Sequence, residues 1–188
     1  MNLLRALLRI KVAPKYIIAA CVSVGAAVRI YRFGEVPLGL HQDEASLLYD
    51  TYALLHYGIE RNGFRFPLML VAYGSSQSGT LAAYLIMPII ALFNFSLTSG
   101  RLVHLIAGLA SLPLFYGLIR RVTNQKTALI ALFLLAINPW HIMMSRWALD
   151  CNLFPAFFLL AVYLLVRSLE NQRFLPWSAS VFGLSLYT

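Results

Sequence analysis

The sequence has few charged residues and only two cysteines, and both shortages exclude classes of protein. Charged side chains make up 12% of the 188 residues, and 60% of the residues are hydrophobic, whereas an ordinary soluble domain has roughly 25% charged residues. Cys21 and Cys151 fall at different depths of the apolar pattern, so no disulfide framework is indicated. The four histidines show no metal-ligand spacing, and neither a phosphate-binding glycine loop nor a nucleophile elbow is present. The composition indicates an integral membrane protein.

Long apolar runs predict a polytopic, all-α membrane protein. Several stretches without charge approach the roughly 17 to 25 residues that a bilayer-spanning helix needs. We predict spans near residues 12–31, 101–119, 127–145 and 151–166, and a fifth over 174–188 that is truncated by the end of the chain. Lys15 and Arg29 would reach the interface from the two ends of the first span. A signal peptide is the alternative for that segment, but its basic region is long and more membrane helices follow.

Basic residues orient these helices through the positive-inside rule. The stretch from Leu81 to Phe95, interrupted by Pro88, either crosses the bilayer or lies along its surface. If it does not cross, nine of the 15 basic residues are cytoplasmic and six are outside, and the numbers are reversed if it does. The rule therefore favours a helical bundle with a cytoplasmic N-terminus and a long extracytoplasmic first loop over residues 32–100. That loop carries juxtamembrane helices near residues 43–57 and 80–95.

Charge is distributed unevenly across the two faces of this topology. The net charge of +8 does not indicate nucleic-acid binding, because the basic residues lie at helix ends and not on one polar surface. Acidic residues contribute little to orientation, yet six of the seven fall on the extracytoplasmic side: Glu35, Asp43, Glu44, Asp50, Glu60 and Asp150. This segregation indicates a functional site on that side.

Asp43 and Glu44 open an amphipathic stretch that continues to Tyr57. Its helical pattern places Leu48, Tyr52 and Leu55 on one apolar stripe, as in a helix lying on a membrane surface. We expect Asp43 to be the N-cap of this helix, since Asp is favoured there and complements the helix dipole. The functional alternative, which capping does not exclude, is a carboxylate that takes the proton from an acceptor hydroxyl.

Asp150 lies at the edge of the next span, where an unpaired charge in the membrane costs roughly 2.5 to 3.5 kcal/mol. It should therefore face protein or water, and pairing with Arg146, four residues earlier, is the alternative to a role in the site. Arg101 opens a span and either binds a phosphate or anchors the helix at the interface. Residues 72–80 are small and polar, as in a loop near a ligand or a flexible connector. No residue is assigned to a metal, although a divalent cation held by Asp43 and Asp150 is a further hypothesis.

In order and spacing, these residues resemble the GT-C superfamily of polytopic glycosyltransferases. The resemblance is to the branch of protein O-mannosyltransferases and aminoarabinose transferases, glycosyltransferase family 39-like, with its bacterial relatives. It rests on Pro-x-Gly-x-x-x-Asp-Glu-Ala from Pro37, Gly-x-x-x-x-Gly-x-x-x-Pro from Gly58, an arginine-led span and a second carboxylate after the third span. It covers most of residues 30–170. One departure is Ser-Gly-Thr-Leu from Ser78, where many relatives carry Pro-Pro-Leu.

The resemblance implies a transferase that moves a sugar from a polyprenyl-phosphate-linked donor to a protein, lipid or glycan acceptor. It implies Asp43 as the catalytic base, with Glu44 and Asp150 shaping the site. Cations should stabilise the departing lipid phosphate, and the candidates, in order of preference, are Arg101, Arg146, Arg61 and Arg65. The expected location is a bacterial plasma membrane with the site facing outside, and an endoplasmic reticulum membrane is the alternative. Members of the family are much longer than this chain, so this fragment alone is expected to be inactive.

Two other functions would use a similar sequence. A transporter or lipid flippase would place acids within the spans at midplane depth, whereas these acids lie at helix ends and in the first loop. In a non-catalytic membrane scaffold, the same acids would only cap a helix and form an ion pair. The sequence alone leaves the scaffold open.

Overall fold

A computed structural model describes residues 13–72 and 76–188 of the chain. The helices within them are α1 (Pro14–Ile30), α2 (Gln42–Tyr57), α3 (Thr80–Phe93), α4 (Leu97–Val122), α5 (Gln125–Ile137), α6 (Pro139–Met144), α7 (Phe154–Ser168) and α8 (Leu175–Ser185). An antiparallel hairpin of β1 (Met69–Ala72) and β2 (Ser76–Gly79) pairs Met69 with Gly79. The predicted all-α class is confirmed. The beginning of the first predicted span and Tyr73, Gly74 and Ser75 of the predicted loop lie outside the described residues.

Two of the described helical segments are long and apolar enough to cross a bilayer, namely Leu97–Val122 with 26 residues and Asp150–Ser168 with 19. The apolar run over residues 127–145 forms two helices and not one. Asn138 ends α5 and begins α6, because its side chain accepts a hydrogen bond from the backbone N–H of His141 at 3.0 Å. Pro139 follows at the first position of α6, where its missing N–H costs nothing.

Helices α1, α4 and α5 pack around a small apolar cluster of Cys21, Leu112, Leu132 and Ala136. Gly25 permits the close approach of α1, since a Cβ atom at this position would lie 2.7 Å from Cδ1 of Leu112. The outward faces of these helices stay apolar, with half or more of the side chains of Ile106, Ile130 and Phe133 exposed. A surface of this kind suits a lipid environment.

A second apolar cluster joins α2, the hairpin and α3 to the N-terminal end of α4. It contains Leu47, Leu48 and Leu54 of α2 together with Leu70 and residues of α3. The expected stripe of Leu48, Tyr52 and Leu55 is not a continuous outer face, because Leu48 is buried and Tyr52 is exposed. Gly100 explains the difference: a Cβ atom there would lie 2.5 Å from Cδ2 of Leu48, so α4 packs directly on this leucine.

Helix α3 begins and ends at the same end of the bundle. At its start, the backbone N–H of Gly79 donates to Oδ2 of Asp150 at 3.1 Å, just before α7. After its end, Thr98 in the first turn of α4 packs on Gly34, which follows α1. These two places meet because Arg146, which precedes Asp150, donates to the carbonyl of Val28 in α1 at 2.9 Å. The position of α3 along the membrane surface stays a prediction. The compartment that this end faces stays a prediction.

Candidate functional site

Two arginines join the helix ends around Asp43 and Asp150. Arg29, in the last turn of α1, donates to the final carbonyls of α5, at 3.2 Å to Leu135 and 3.0 Å to Ala136. The last carbonyls of a helix lack the usual partner one turn further on, and Arg29 supplies donors to two of them. Arg29 is completely buried and does not reach the interface as the sequence suggested.

Arg146 binds the end of α1 and the turn that follows it. Its guanidinium donates to the carbonyls of four residues: Val28, Tyr31, Arg32 and Val36. Burial lowers the pKa of Arg146, and the nearby charge of Arg101 lowers it further. The donors of Arg146 are directed at the end of α1 and not at Asp150, so the ion pair considered from the sequence is not the arrangement found. The side chain is only 7% exposed, which leaves little access for a lipid phosphate.

Glu44 and Arg101 form an ion pair in which both side chains are fully buried. The carboxylate accepts from Nε of Arg101 at 2.6 Å and from Nη2 at 2.7 Å. Arg101 also donates to the carbonyls of Pro37 at 3.1 Å and Gly39 at 2.9 Å, with a longer contact to Gly34 at 3.4 Å. A guanidinium has five N–H donors, and these contacts use all of them.

This pair links the two predicted acidic positions. Oε1 of Glu44 also accepts the backbone N–H of Ala148 at 3.1 Å, two residues before Asp150. Glu44 therefore ties the first turn of α2 to the segment that carries Asp150. Its burial places Glu44 away from any substrate, and the geometry favours a positioning role for both Glu44 and Arg101.

Asp43 is in the first turn of α2 but is not its N-cap. The helix begins at Gln42, and the cap is His41, whose Nδ1 accepts the backbone N–H of Asp43 at 3.3 Å. The carboxylate of Asp43 is thereby left out of capping, and 57% of its side chain is exposed, with Oδ2 3.4 Å from Nδ1 of His41. The His41 ring contacts the edge of the Trp147 ring, with centroids 5.6 Å apart.

Asp150 begins a short 3₁₀ turn, Asp150–Asn152, and its side chain is half-buried. Besides the bond from Gly79, its position is fixed through the preceding residue, because Nε2 of His104 lies 2.8 Å from the carbonyl of Leu149. Asp43 directly precedes Glu44, whose carboxylate accepts the backbone N–H of Ala148, two residues before Asp150. The fold thus brings these two distant aspartates to one neighbourhood.

The remaining two predicted arginines differ in their surroundings. Arg61 forms a bidentate ion pair with Asp50, at 2.7 Å between Nη2 and Oδ2, and also donates to Ser46. Asp50 has only 2% of its side chain exposed, so Arg61 neutralises a buried charge. Arg65 is exposed. Of the four arginines proposed for the donor phosphate, Arg65 is therefore the one whose side chain is open to a ligand.

Two apolar cavities lie beside the acidic residues. One of about 230 Å³ flanks Asp150 and is lined by Trp140, Met143, Met144, Trp147, Leu149, Cys151 and Asn152. A larger groove of about 610 Å³ runs along the outer face of α2 and is lined by Leu40, Ala45, Leu48, Tyr49, Tyr52, Phe95 and Leu97. Both are apolar surfaces close to carboxylates, as a site for an amphiphilic substrate requires.

The site offers two carboxylates to a metal ion. Among the described residues, no group of three or more His, Cys, Asp or Glu side chains could hold one. Mg²⁺, however, is commonly bound by one or two carboxylates together with water and substrate phosphates. A divalent cation held by Asp43 and Asp150 therefore stays a prediction.

Sequence reasoning missed two histidines and one structural element. His41 was not recognised as the cap, although it directly precedes the first residue of α2. His104 carried a usable signal, since an ionisable residue within an apolar span is a candidate for a specific contact. The hairpin that supplies the Gly79 amide lies where the sequence indicated only a loop, because its polar second strand lacks the apolar alternation of a typical strand.

The fold is similar to that of the archaeal oligosaccharyltransferase AglB from Archaeoglobus fulgidus, solved in complex with an inhibitory peptide and a dolichol-phosphate. The TM-score is 0.60 at 19% sequence identity, over 93% of this chain and 23% of that one. This chain therefore corresponds to about a quarter of AglB. The likeness defines the class by its fold, which is the helical fold of the corresponding part of AglB.

The sequence profile of the family described as dolichyl-phosphate-mannose-protein mannosyltransferase matches residues 77–188, more than half of the chain. The chain belongs to this family, which confirms the membership that the sequence resemblance indicated. A comparison with proteins of curated function found no match.

Proposed function

We propose that the protein containing this chain transfers a sugar from a polyprenyl-phosphate carrier to an acceptor hydroxyl at the membrane surface. The observation that carries the proposal is the exposed Asp43 carboxylate, held near Asp150 by the buried Glu44–Arg101 pair. The family description supports dolichyl-phosphate mannose as the donor and a protein as the acceptor. The dolichol-phosphate and peptide bound to AglB support the same two substrate classes.

In the proposed reaction, the oxygen of the acceptor hydroxyl attacks C1 of the sugar, and Asp43 accepts the proton of that hydroxyl. The bond between C1 and the phosphate oxygen breaks as the new glycosidic bond forms. The lipid phosphate leaves as an anion with the bonding electron pair, and the proton remains on Asp43. Positive charge stabilises the departing phosphate, and our candidate for this role is Arg65, which is exposed and follows the C-terminal end of α2.

A divalent cation bound by Asp43 and Asp150 would add positive charge against the donor phosphate. Chelation of divalent ions in the full-length protein should then abolish transfer, and Mg²⁺ or Mn²⁺ should restore it. Unchanged sugar transfer in the presence of the chelator would exclude a required divalent cation, and the two aspartates would then act without one.

The positions of the acidic residues favour surface chemistry over transport. None of the described helices assigned to the bundle, α1, α4, α5, α7 and α8, contains an aspartate or glutamate. A transporter that couples to protons or cations usually carries such groups near the bilayer midplane. Asp43 and Asp150 lie instead at one end of the bundle.

The direct test is Asp43→Asn in the full-length protein, incubated with labelled polyprenyl-phosphate sugars and hydroxyl-bearing acceptors. Loss of a general base typically costs about 10²- to 10⁴-fold in rate, and we expect a loss of this size with normal membrane insertion. Glu35→Gln is the matched control, because Glu35 is an exposed acid in the same loop that forms an ion pair with Arg32. Normal transfer by Asp43→Asn would remove the proposed mechanism.

The role of Arg65 has its own test in the same assay. Arg65→Ala should raise the KM for the lipid-linked donor without changing thermal stability, because the side chain is exposed. Arg32→Ala removes a comparably exposed arginine from the same loop and should leave the KM unchanged. An equal effect of both substitutions would indicate general electrostatic attraction and not a phosphate site.

A further inference from the structure

A small polar cavity lies beneath the segment that carries Asp150, between α4, α6 and the beginning of α7. Its volume is about 10 Å³, close to the roughly 10 to 15 Å³ that one water molecule needs. Its polar lining comes from His104, Ser111, His141, Ser145 and Asn152. Gly108 also lines it and keeps it small, since a Cβ atom there would lie 2.2 Å from Cβ of Ser145.

His104 contributes an unsatisfied acceptor to this cavity. Its Nε2 must be the donor to the Leu149 carbonyl, because a carbonyl oxygen only accepts. The neutral ring therefore has its proton on Nε2 and a lone pair on Nδ1. His104 is only 1% exposed, so Nδ1 is shielded from solvent. It has no hydrogen-bond partner among the described residues. A buried acceptor without a partner costs about 1 to 3 kcal/mol.

None of the other polar groups that line the cavity donates to Nδ1 of His104 in the structure. The hydroxyl of Ser111 donates to the carbonyl of Ala107 at 2.8 Å, and that of Ser145 donates to the carbonyl of Ile142 at 2.7 Å. Each hydroxyl oxygen keeps a lone pair. In His141, Nδ1 accepts from Arg29 at 2.8 Å, so the proton of this ring is on Nε2.

We infer that the cavity binds one water molecule, which donates one hydrogen to Nδ1 of His104 and the other to a serine hydroxyl oxygen. A water molecule supplies the missing donor and can still accept a bond from a neighbouring N–H. A metal cation fits less well, because the described residues that line the cavity include no carboxylate and the buried guanidinium of Arg29 is bonded to His141 beside it. The site belongs to structural water, of which globular proteins hold about one per 27 residues.

The water gives His104 a role in the proposed reaction, and this part of the inference rests on the proposed function. Hydrogen-bonded at both nitrogens, the imidazole is fixed in orientation, and its Nε2–H holds the carbonyl of Leu149 next to Asp150. His104 is thus a positioning residue, separated from the substrate by the segment that it supports. The same support keeps Asp150 within reach of the Gly79 amide.

The water itself is tested without an activity assay. A high-resolution map of the wild-type full-length protein should show one peak within hydrogen-bond distance of His104 Nδ1. The ¹⁵N resonance of this nitrogen should have the shift of an unprotonated but hydrogen-bonded imidazole nitrogen. A cavity without a peak, or a free lone-pair resonance, would overturn the water site, as would a peak with the short distances of a metal ion.

The positioning role is tested with three variants of the full-length protein. His104→Leu should lose the water and displace Asp150 from the Gly79 amide, with a fall of about ten-fold or more in kcat at unchanged donor KM. His104→Gln keeps a donor and an acceptor and should recover most of both. Leu105→Ala is the control. Leu105 is buried and does not line the cavity, so its truncation lowers stability without changing the water site.

The outcomes separate this inference from the proposed function. If the wild-type protein transfers no sugar, the proposed function fails, and the position of Asp150 in the His104→Leu map still decides the positioning role. An undisplaced Asp150 in that map would overturn it. An equal loss of kcat in His104→Leu and Leu105→Ala would likewise overturn it, because the effect would then follow from stability alone.

Discussion

The buried Glu44–Arg101 pair gives the sharpest test of how the site is built. Glu44→Gln removes the negative charge and keeps an oxygen that can still accept the Ala148 N–H. Arg101 would remain fully buried without a counter-charge, with neutral oxygens, including main-chain carbonyls, as its partners. Breaking a buried pair by removing one partner costs about 3 to 5 kcal/mol. That is a large share of the roughly 5 to 15 kcal/mol that stabilises a typical domain.

A double-mutant cycle separates this role from contact with substrate. Arg101→Met should destabilise the protein by a similar amount, because it leaves the Glu44 carboxylate buried and unpaired. Combining both substitutions removes both charges, so the double variant should be little less stable than either single variant. The measurement is the free energy of unfolding from denaturant titration of the full-length protein in mild detergent, with the wild type in parallel.

Two results would refute this reasoning. One is a Glu44→Gln variant that unfolds like the wild type and yet loses transfer, which would mean that Glu44 acts on the substrate. The other is a double variant whose loss of stability equals the sum of the two single losses, which would mean that the two side chains are not coupled.

Further predictions concern packing and the second ion pair. Gly108→Ala should destabilise the protein by about 1 to 3 kcal/mol through overpacking, because the new methyl group would meet Ser145 at 2.2 Å. Gly183→Ala is the control. A methyl group there meets nothing within 4 Å, so this variant should be neutral or slightly stabilising. Thermal unfolding of both variants checks this, and equal stabilities would contradict it. Arg61→Ala should leave Asp50 buried and unpaired and cost about 3 to 5 kcal/mol, whereas Arg61→Ala combined with Asp50→Ala should recover part of that loss. A stable Arg61→Ala variant with impaired donor binding would contradict this structural role and would indicate that Arg61 binds the donor phosphate.

Much of the fold could be predicted from local sequence because the bilayer imposes a local rule. A helix that crosses lipid must satisfy its own backbone and present apolar side chains along its length, so span positions follow from composition. The predicted span over residues 101–119 lies within the observed Leu97–Val122 helix for this reason. The interruption at Asn138 and Pro139 was also readable, since both residue types favour helix ends, but hydropathy alone does not register it.

The candidate site was predictable only as a set of residues. Adjacent acids after a turn, and a second aspartate at the edge of a span, were visible in the sequence. Their division of labour was not, because Asp43 and Glu44 are neighbours with similar chemistry. One points outward beside His41 and the other is enclosed by Arg101, 57 residues away.

The arginines show the same limit. Each of the four candidates had a plausible place near a phosphate when judged by topology, and only contacts between distant segments distinguished them. Arg146 donates to carbonyls more than 100 residues earlier in the chain. Arg61 donates to an aspartate on the preceding helix.

The sequence by itself therefore determined the class of this protein, its helical membrane architecture and the acidic residues worth testing, because hydrophobicity and charge act on each segment separately. Tertiary structure alone decided which acid is exposed, which arginine stays open and where the buried histidine needs a water molecule. Burial and hydrogen-bond partnership are properties of packed neighbours, and in this chain those neighbours are mostly far apart in sequence.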